Sequence, residues 1–260
     1  MPLFSLRKIF TGKTEKNVQV HDPRIYAVTL TYKGNTSTQL KFNMEISRMT
    51  VDDNATQYFQ VTRSDVRIND EDTTDRVASD LAAQCGNVLY PLQVQIGLDG
   101  NMISILNHPE ILQRWKEKQE QLKQYFTGPD AYSYIEATGN TLEQESSLLP
   151  TIRHDLFLAA FWNALLTGNR NNFKTSYYLF PFEEPVIYDI TLTGNRMMNN
   201  LRQSGKQENG DGTMEIKYSF NRIHGLIQLL DVQWKAERRD QPLQITLTAT
   251  CINSDDHHIN

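Results

Sequence analysis

The last apolar stretch of the chain alternates strictly between apolar and polar residues, and this pattern constrains the fold more than any other. From Leu243 to Cys251 every second residue is apolar, and glutamine or threonine occupies each position between them. Successive side chains of a β-strand point to opposite faces, so the pattern predicts a strand with one buried and one solvated face. Such strands build antiparallel sheets, because the strands of a parallel sheet are buried on both faces and are apolar throughout.

Five earlier segments of the chain show the same period of two. Their apolar positions are Tyr26, Val28, Leu30, Tyr32; Leu40, Phe42, Met44, Ile46; Val88, Tyr90, Leu92, Val94, Ile96, Leu98; Val186, Tyr188, Ile190, Leu192; and Met214, Ile216, Tyr218, Phe220. We therefore expect strands over about residues 25–106 and again over about 176–252. The polar, glycine-rich stretch Arg202–Thr213 predicts a mobile loop between two of them.

The middle of the chain has a helical period instead. Between about residues 108 and 168 apolar residues recur every three to four positions, which predicts a helical insert. Gly128-Pro129 is expected to end its first helix, and a second helix is predicted from Pro150 to Gly168. Residues 156–166 of that second helix include a single polar residue, so we expect it to be buried on most sides.

Together these patterns predict an α+β protein, with a curved, mostly antiparallel β-sheet and a central helical insert packed on its apolar face. Residues 21–260 are expected to form a single domain, because neither set of strands has a helical layer of its own. Residues 1–20 form a basic N-terminal arm that is either flexible or docked on a partner. The apolar residues through which the arm would dock are Leu3, Phe4, Leu6, Ile9 and Phe10.

Composition and charge exclude several classes of function. The net charge of -5 gives no reason to expect a nucleic acid as partner. No apolar run approaches the ~20 residues that span a bilayer. Arg7 and Lys8 interrupt the apolar core that a secretory signal needs. Cys85 and Cys251 are far apart and lack metal-ligand spacing, so we expect a soluble, cytoplasmic protein with reduced thiols.

The polar motifs predict turns and helix ends rather than chemistry. Asp99-Gly100 is typical of a tight hairpin turn. Asn107 is placed to cap the following helix, with Glu110 in its first turn. The acidic run Asn69–Asp75 lacks the glycine and the closing glutamate of a calcium loop, and we interpret it as a solvated loop before a short helix. The six histidines are scattered without ligand spacing, so no metal site is predicted.

No reactive constellation stands out, and we predict no catalytic residue and no cofactor. His154 and Asp155 are neighbours on a predicted helix, where their side chains point about 100° apart. We therefore interpret His154 as a partly buried, hydrogen-bonded histidine. An enzyme stays as an alternative, because folding can bring distant carboxylates such as Asp155 and Glu184 together.

The segment Ser176–Asp189 is the candidate binding segment. Pro181 and Pro185 restrict its pairing to the edge of a sheet. Its clustered aromatic residues indicate either core beneath a rigid edge or an exposed surface for a protein partner. The predicted partner-binding residues are Tyr177, Tyr178, Phe180 and Phe182 of this segment and Leu3, Phe4 and Phe10 of the arm.

The leading hypothesis is a non-catalytic cytoplasmic protein-binding module. It would be an assembly or scaffold component of a bacterial multiprotein machine, or an immunity-type inhibitor. Its partner would be another protein or a second copy of the chain, with neither nucleic acid nor a membrane span involved. The alternative is a carrier of an apolar ligand held in a cavity between sheet and helices.

Overall fold

The computed structural model describes residues 7–11, 14–34, 36–50, 57–97, 100–166, 172–182, 184–195, 199–221, 226–238 and 241–253. The strands are Arg7–Thr11 (β1), Thr14–Lys33 (β2), Ser37–Thr50 (β3), Gln57–Ile68 (β4), Glu71–Asp72 (β5), Leu92–Ile96 (β6), Met102–Ile105 (β7), Asn172–Tyr177 (β8), Val186–Asn195 (β9), Asn200–Gln207 (β10), Thr213–Phe220 (β11), Ile227–Arg238 (β12) and Gln241–Cys251 (β13). The helices are Val77–Asn87 (α1), His108–Tyr125 (α2), Pro129–Glu143 (α3), Glu145–Arg153 (α4) and Leu156–Leu166 (α5).

The chain is an α+β protein whose strands form an antiparallel β-sheet, as the alternation of its residues predicts. It divides into two compact units. Unit 1 is the described part of Met1–Arg24, Met44–Arg67 and Glu71–Arg153, and unit 2 is the described part of Ile25–Asn43, Ile68–Asp70 and His154–Asn260. Among the helices of the described residues, none is both long and apolar enough to cross a membrane.

Unit 1 combines a short antiparallel sheet with four helices. Strand β6 pairs with β4 on one side and with β7 on the other, and α1 to α4 belong to the same unit. Helix α2 buries Ile111, Trp115 and Leu122, which recur at the spacing of one helical face. Helix α3 lies close to Trp115, because a side chain at Gly139 would begin 3.0 Å from the indole nitrogen.

The helices of the insert differ from those predicted. Gly128-Pro129 ends α2, but Pro129 also begins α3, a helix that the sequence analysis did not anticipate. Proline suits the first turn of a helix because the N–H it lacks has no partner there. The single helix expected from Pro150 to Gly168 is wrong, since Pro150 lies inside α4. A break at residues 154 and 155 separates α4 from α5.

Asn107 precedes α2 as predicted, but its side chain does not cap the helix. Its Oδ1 accepts the backbone N–H of Gln93 at 2.9 Å, and its Nδ2 donates to the carbonyl of Pro91 at 2.7 Å. The residue therefore fastens the start of α2 to the start of β6. Gly100 takes the positive φ of 85° that the turn prediction requires, while Asp99 lies outside the described residues.

Unit 2 is a strongly curled antiparallel sheet. Seven strands follow one another in the order β2, β13, β12, β11, β10, β9 and β8. Tyr177 of β8 and Trp234 of β12 are four strands apart, yet their ring centroids are separated by 5.2 Å. In a flat sheet four strand spacings amount to roughly 19 Å. The inner face is therefore concave, and the curl brings the edge strand over the middle of the sheet.

Helix α5 packs on that apolar inner face, as predicted for the helical insert. Phe157 and Phe161 lie 6.0 Å and 5.3 Å from the ring of Tyr26, measured between centroids. The hydroxyl of Tyr218 donates to the carbonyl of Ala160 at 3.0 Å. The nearly continuous apolar surface of this helix thus serves burial in unit 2.

The mobile loop predicted over Arg202–Thr213 is wrong for most of its length. Its first half belongs to β10, a strand paired on both sides, with alternating buried and exposed residues. The buried positions hold Gln203, Gly205 and Gln207, which hydrophobicity alone does not mark as core. A side chain at Gly205 would begin 2.6 Å from Ile190 Cδ1 and 3.2 Å from Tyr188 Cβ, so a methyl group there would force Ile190 to move.

Candidate partner-binding site

Strand β8 and the turn that follows it carry the aromatic residues of the candidate site. The turn is closed by a hydrogen bond from the backbone N–H of Phe182 to the carbonyl of Leu179 at 2.9 Å. The peptide bond between Phe180 and Pro181 is cis. Along β8, alternate side chains leave the chain in opposite directions, so neighbours in sequence lie in different environments.

Tyr177 belongs to the core of unit 2. Its ring contacts Trp234 and lies 6.4 Å from the ring of Tyr188, measured between centroids. Its hydroxyl accepts a hydrogen bond from Nδ2 of Asn163 at 2.7 Å. Burial raises the pKa of this phenol well above its usual range. Tyr177 is therefore a structural residue, which corresponds to the core interpretation of the aromatic cluster.

Tyr178 is half-buried and stacks on a histidine. The rings of Tyr178 and His154 lie nearly parallel, with 3.5 Å between their centroids. Burial lowers the pKa of His154 below its ordinary value. The prediction of a partly buried, hydrogen-bonded His154 on a helix is wrong, since His154 is exposed in the turn between α4 and α5 and its ring stacks on Tyr178.

Phe180 and Phe182 point to different environments. Phe180 is 75% exposed, the largest exposed fraction among the described large hydrophobic residues. Phe182 is half-buried and, with Pro181, lines a partly open pocket of about 870 Å³. The turn thus offers one protruding aromatic ring beside one recessed ring, which is an arrangement suited to contact with another surface.

The pocket beside the turn has an apolar floor and a charged rim. Its apolar lining includes Ala236, Leu243 and Pro242, in addition to the two residues of the turn. The charged lining residues are Lys33, Lys235, Asp211 and Glu237. Positive and negative groups are equal in number, so the pocket carries no net charge that would select an ionic ligand.

Two buried polar groups on the inner face of unit 2 make no hydrogen bond within the described part of the chain. Gln203 is 0% exposed, and neither its Nε2 nor its Oε1 has a partner there. The indole Nε1 of Trp234 is likewise buried and has no hydrogen-bond partner there. A buried polar group without a partner is unfavourable by about 1–3 kcal/mol, so both groups could bind water or a polar group of a ligand.

Asp155, one of the two carboxylates of the enzyme alternative, has a structural task. Oδ1 of Asp155 accepts the backbone N–H of Leu158 at 2.9 Å and so caps α5. Glu184 is exposed in the loop before β9. Within the described ranges, the structure holds no cluster of three acidic, histidine or cysteine residues suited to a metal ion. Cys85 and Cys251 are both buried, and no disulfide joins them.

The N-terminal arm is described from residue 7 onward, apart from residues 12 and 13. Residues 7–11 form β1, which pairs with the first part of β2. Leu3 and Phe4 lie outside the described residues, and only the backbone of Phe10 is described. The participation of these three residues in partner binding stays a prediction.

Sequence analysis missed a group of exposed tyrosines in unit 1. Tyr125 at the end of α2 is 73% exposed, and Tyr132 and Tyr134 of α3 are also exposed. The signal was present at Pro129, because a proline after a helix can begin the next one. Recognising α3 would have placed both of its tyrosines on a helix surface.

Comparison with known proteins does not assign the chain to a family. No protein-family model and no curated protein matches the sequence. The chain is similar to a chain in the solved structure "Lipid-protein interactions in lipovitellin", with a TM-score of 0.41 and 9% identity. The match covers 87% of this chain and 24% of that one, so this chain spans about a quarter of its length. A likeness at this level carries no argument about function.

Proposed function

We propose that the chain is a non-catalytic protein-binding module and that the turn carrying Phe180 is part of its binding surface. The supporting observation is the exposure of Phe180 on a turn closed by a backbone hydrogen bond. Exposing a phenylalanine ring to water is unfavourable, and aromatic residues are enriched at the centres of protein interfaces. A turn that holds such a ring outward is consistent with a partner that covers it.

The neighbouring pocket supports the same proposal. Interface residues that contribute most to affinity insert into well-packed pockets of the partner surface. The pocket beside Phe182 is large enough to receive a side chain or a short segment, and Phe180 would insert into the partner in return. An assembly component of a bacterial multiprotein machine and a cytoplasmic immunity-type inhibitor would both use such a surface.

The experiment compares Phe180→Ala with a matched control at an equally exposed aromatic residue. Phe180 is 75% exposed and Tyr125 is 73% exposed, so neither substitution should change folding. We expect a protein that co-purifies stoichiometrically from the native cell with the wild-type chain to be lost from Phe180→Ala and retained by Tyr125→Ala. Full retention by Phe180→Ala, or the absence of any stoichiometric companion, would contradict the proposal.

A second candidate function is a carrier of an apolar ligand with one polar group. The partnerless amide of Gln203 favours it, because that amide lies on a concave, otherwise apolar inner face. A polar group of the ligand would hydrogen-bond to Gln203, and the rest of the ligand would be apolar like the core side chains of the inner face. Native mass spectrometry should then detect a bound small molecule that Gln203→Leu releases, and a mass equal to that of the chain alone would remove this candidate.

A further inference from the structure

Strand β8 forms an open edge of unit 2. It pairs with β9 on one side. On its other side no strand of the described residues is paired with it. An unpaired edge presents a row of backbone N–H and C=O groups that can pair with another extended chain.

The strand registers identify which residues present these groups. The backbone N–H of Glu208 donates to the carbonyl of Ile187, so Ile187 directs its backbone groups towards β10. Direction alternates along an antiparallel strand, and therefore Tyr188 directs its groups towards β8. Tyr188 is paired with Thr175, so the backbone N–H and C=O groups of Thr175 are hydrogen-bonded to β9.

The same alternation applies along β8 itself. Since Thr175 faces β9, its neighbours in sequence direct their backbone N–H and C=O groups away from the sheet. The residues of β8 whose backbone N–H and C=O groups point away from the sheet are Asn172, Lys174 and Ser176, called the outward residues. They repeat at about 6.8 Å, twice the rise of one residue in an antiparallel strand.

A corresponding edge in unit 1 is protected by side chains. In β7 the backbone N–H of Ile105 donates to Oε1 of Glu145 at 2.9 Å. The carbonyl of Met102 accepts hydrogen bonds from the guanidinium of Arg153. Both side chains belong to α4, which thus satisfies groups of β7 that an incoming strand would need. Within the described part of the chain, no side chain is hydrogen-bonded to the outward backbone groups of β8 in this way.

We propose that the β8 edge binds an extended segment of the partner protein as an added β-strand. The inference rests on the proposed function and specifies the form of the partner. A donor and acceptor pattern that repeats every second residue is complementary to the backbone of another strand. The turn that presents Phe180 follows directly after β8, so an added strand would lie beside the surface already proposed.

The inner side of the edge favours a different protein over a second copy of this chain. A two-fold pairing that uses all three outward residues would place Phe173 opposite Thr175 of the copy, so the half-buried ring of Phe173 would meet a threonine rather than an apolar side chain. Phe173 and Thr175 are half-buried on the inner side of β8. We therefore infer a partner segment with alternating apolar residues, whose apolar side would extend the inner face beyond Phe173.

Substitutions at β8 distinguish the contribution of a backbone N–H to partner binding from the contribution of a side chain. Ser176→Pro removes an outward N–H and leaves the pairing with β9 intact, whereas Ser176→Ala keeps the N–H and removes only the hydroxyl. Thr175→Pro is the register control, because it removes an N–H bonded to β9 and should destabilise unit 2. We expect Ser176→Pro to weaken partner binding about tenfold or more, and Ser176→Ala to bind like the wild type.

Amide hydrogen exchange of the wild-type complex provides a readout that does not depend on the variants. The probe is the protein that co-purifies stoichiometrically with the chain. The amides of Lys174 and Ser176 should exchange rapidly in the free chain and slowly in the complex, while that of Thr175 is protected in both.

The possible outcomes distinguish this inference from the proposed function. Retention of the partner by Ser176→Pro together with its loss from Phe180→Ala would overturn the added strand and leave the protein-binding proposal intact. Unprotected Lys174 and Ser176 amides in the complex would overturn it too. Self-association of the purified chain through β8 would indicate a second copy and would equally overturn it. If no protein co-purifies at all, both proposals fail together.

Discussion

Asn107 gives the sharpest prediction, because two interpretations of the residue expect opposite results. If it capped α2, serine or aspartate would replace it within a few tenths of a kcal/mol. In the structure its amide instead joins the backbone of Gln93 to that of Pro91. A serine side chain is too short to form both bonds, so Asn107→Ser should be nearly as destabilising as Asn107→Ala.

The size of the effect on the free energy of unfolding follows from the backbone groups that lose a hydrogen-bond partner. Asn107→Ala leaves the N–H of Gln93 without a partner in a buried position, which is unfavourable by about 1–3 kcal/mol. The carbonyl of Pro91 keeps a hydrogen bond from Arg114 at 3.1 Å. Loss of the bond from Asn107 to this carbonyl therefore adds at most about 1 kcal/mol. We expect the free energy of unfolding to fall by about 2–3 kcal/mol for both variants.

The assay is urea denaturation followed by circular dichroism, with amide exchange at Gln93 as the local readout. The Gln93 amide should exchange faster in Asn107→Ala and in Asn107→Ser than in the wild type. Asn107→Asp retains the acceptor for Gln93 and loses the donor to Pro91, so its stability should lie between that of Asn107→Ala and the wild type. If Asn107→Ser unfolds within about 0.5 kcal/mol of the wild type, the residue is a helix cap and this reasoning is wrong.

Three further predictions concern unit 2. Gly205→Ala should lower the free energy of unfolding by about 1–3 kcal/mol in denaturation experiments, because its methyl group would overlap Ile190, whereas Gly34→Ala, with open space around it, should change stability little. Burial, with a smaller contribution from the charge of Asp155, raises the pKa of Tyr32 to about 12. The unfolded chain therefore loses this proton first, so Tyr32 alone should contribute a fall in stability of about 1.4 kcal/mol per pH unit between pH ~10 and ~12, and the decline of Tyr32→Phe should be shallower than that of the wild type by this amount. Burial lowers the pKa of His154, so the unfolded chain binds that proton first as pH falls below ~6.5, and His154→Phe should lose less stability at acidic pH than the wild type.

The strand faces could be predicted from sequence because alternation is a local property. Leu243 to Cys251 and the earlier alternating segments needed no knowledge of their neighbours in space to be assigned a buried side, although Val88 and Tyr90 precede β6 and are not part of a strand. Strand β10 escaped the same analysis because its buried positions hold glutamine and glycine. Their burial depends on the strands on either side, as the close approach of Ile190 to Gly205 shows. Hydrophobic periodicity fails where packing demands a small residue or tolerates a polar one.

The sequence located the candidate site but could not indicate which of its aromatic residues are buried and which are exposed. Tyr177, Tyr178, Phe180 and Phe182 are neighbours along the chain, and composition gave no means of sorting them. The curl of unit 2 places Tyr177 against Trp234, a contact between residues more than fifty positions apart. The turn that follows leaves Phe180 in solvent. Which aromatic residue faces outward thus depended on a non-local contact.

The approach of Tyr177 to Trp234 gives unit 2 an intrinsic fluorescence reporter. Excitation energy passes efficiently from a tyrosine ring to an indole at such a short separation, and the indole of Trp234 is shielded from water. In a variant that keeps Trp234 as its sole tryptophan, a buried indole should emit at a short wavelength. Opening of the curl would admit water to this indole and shift its emission to longer wavelengths, without an attached dye.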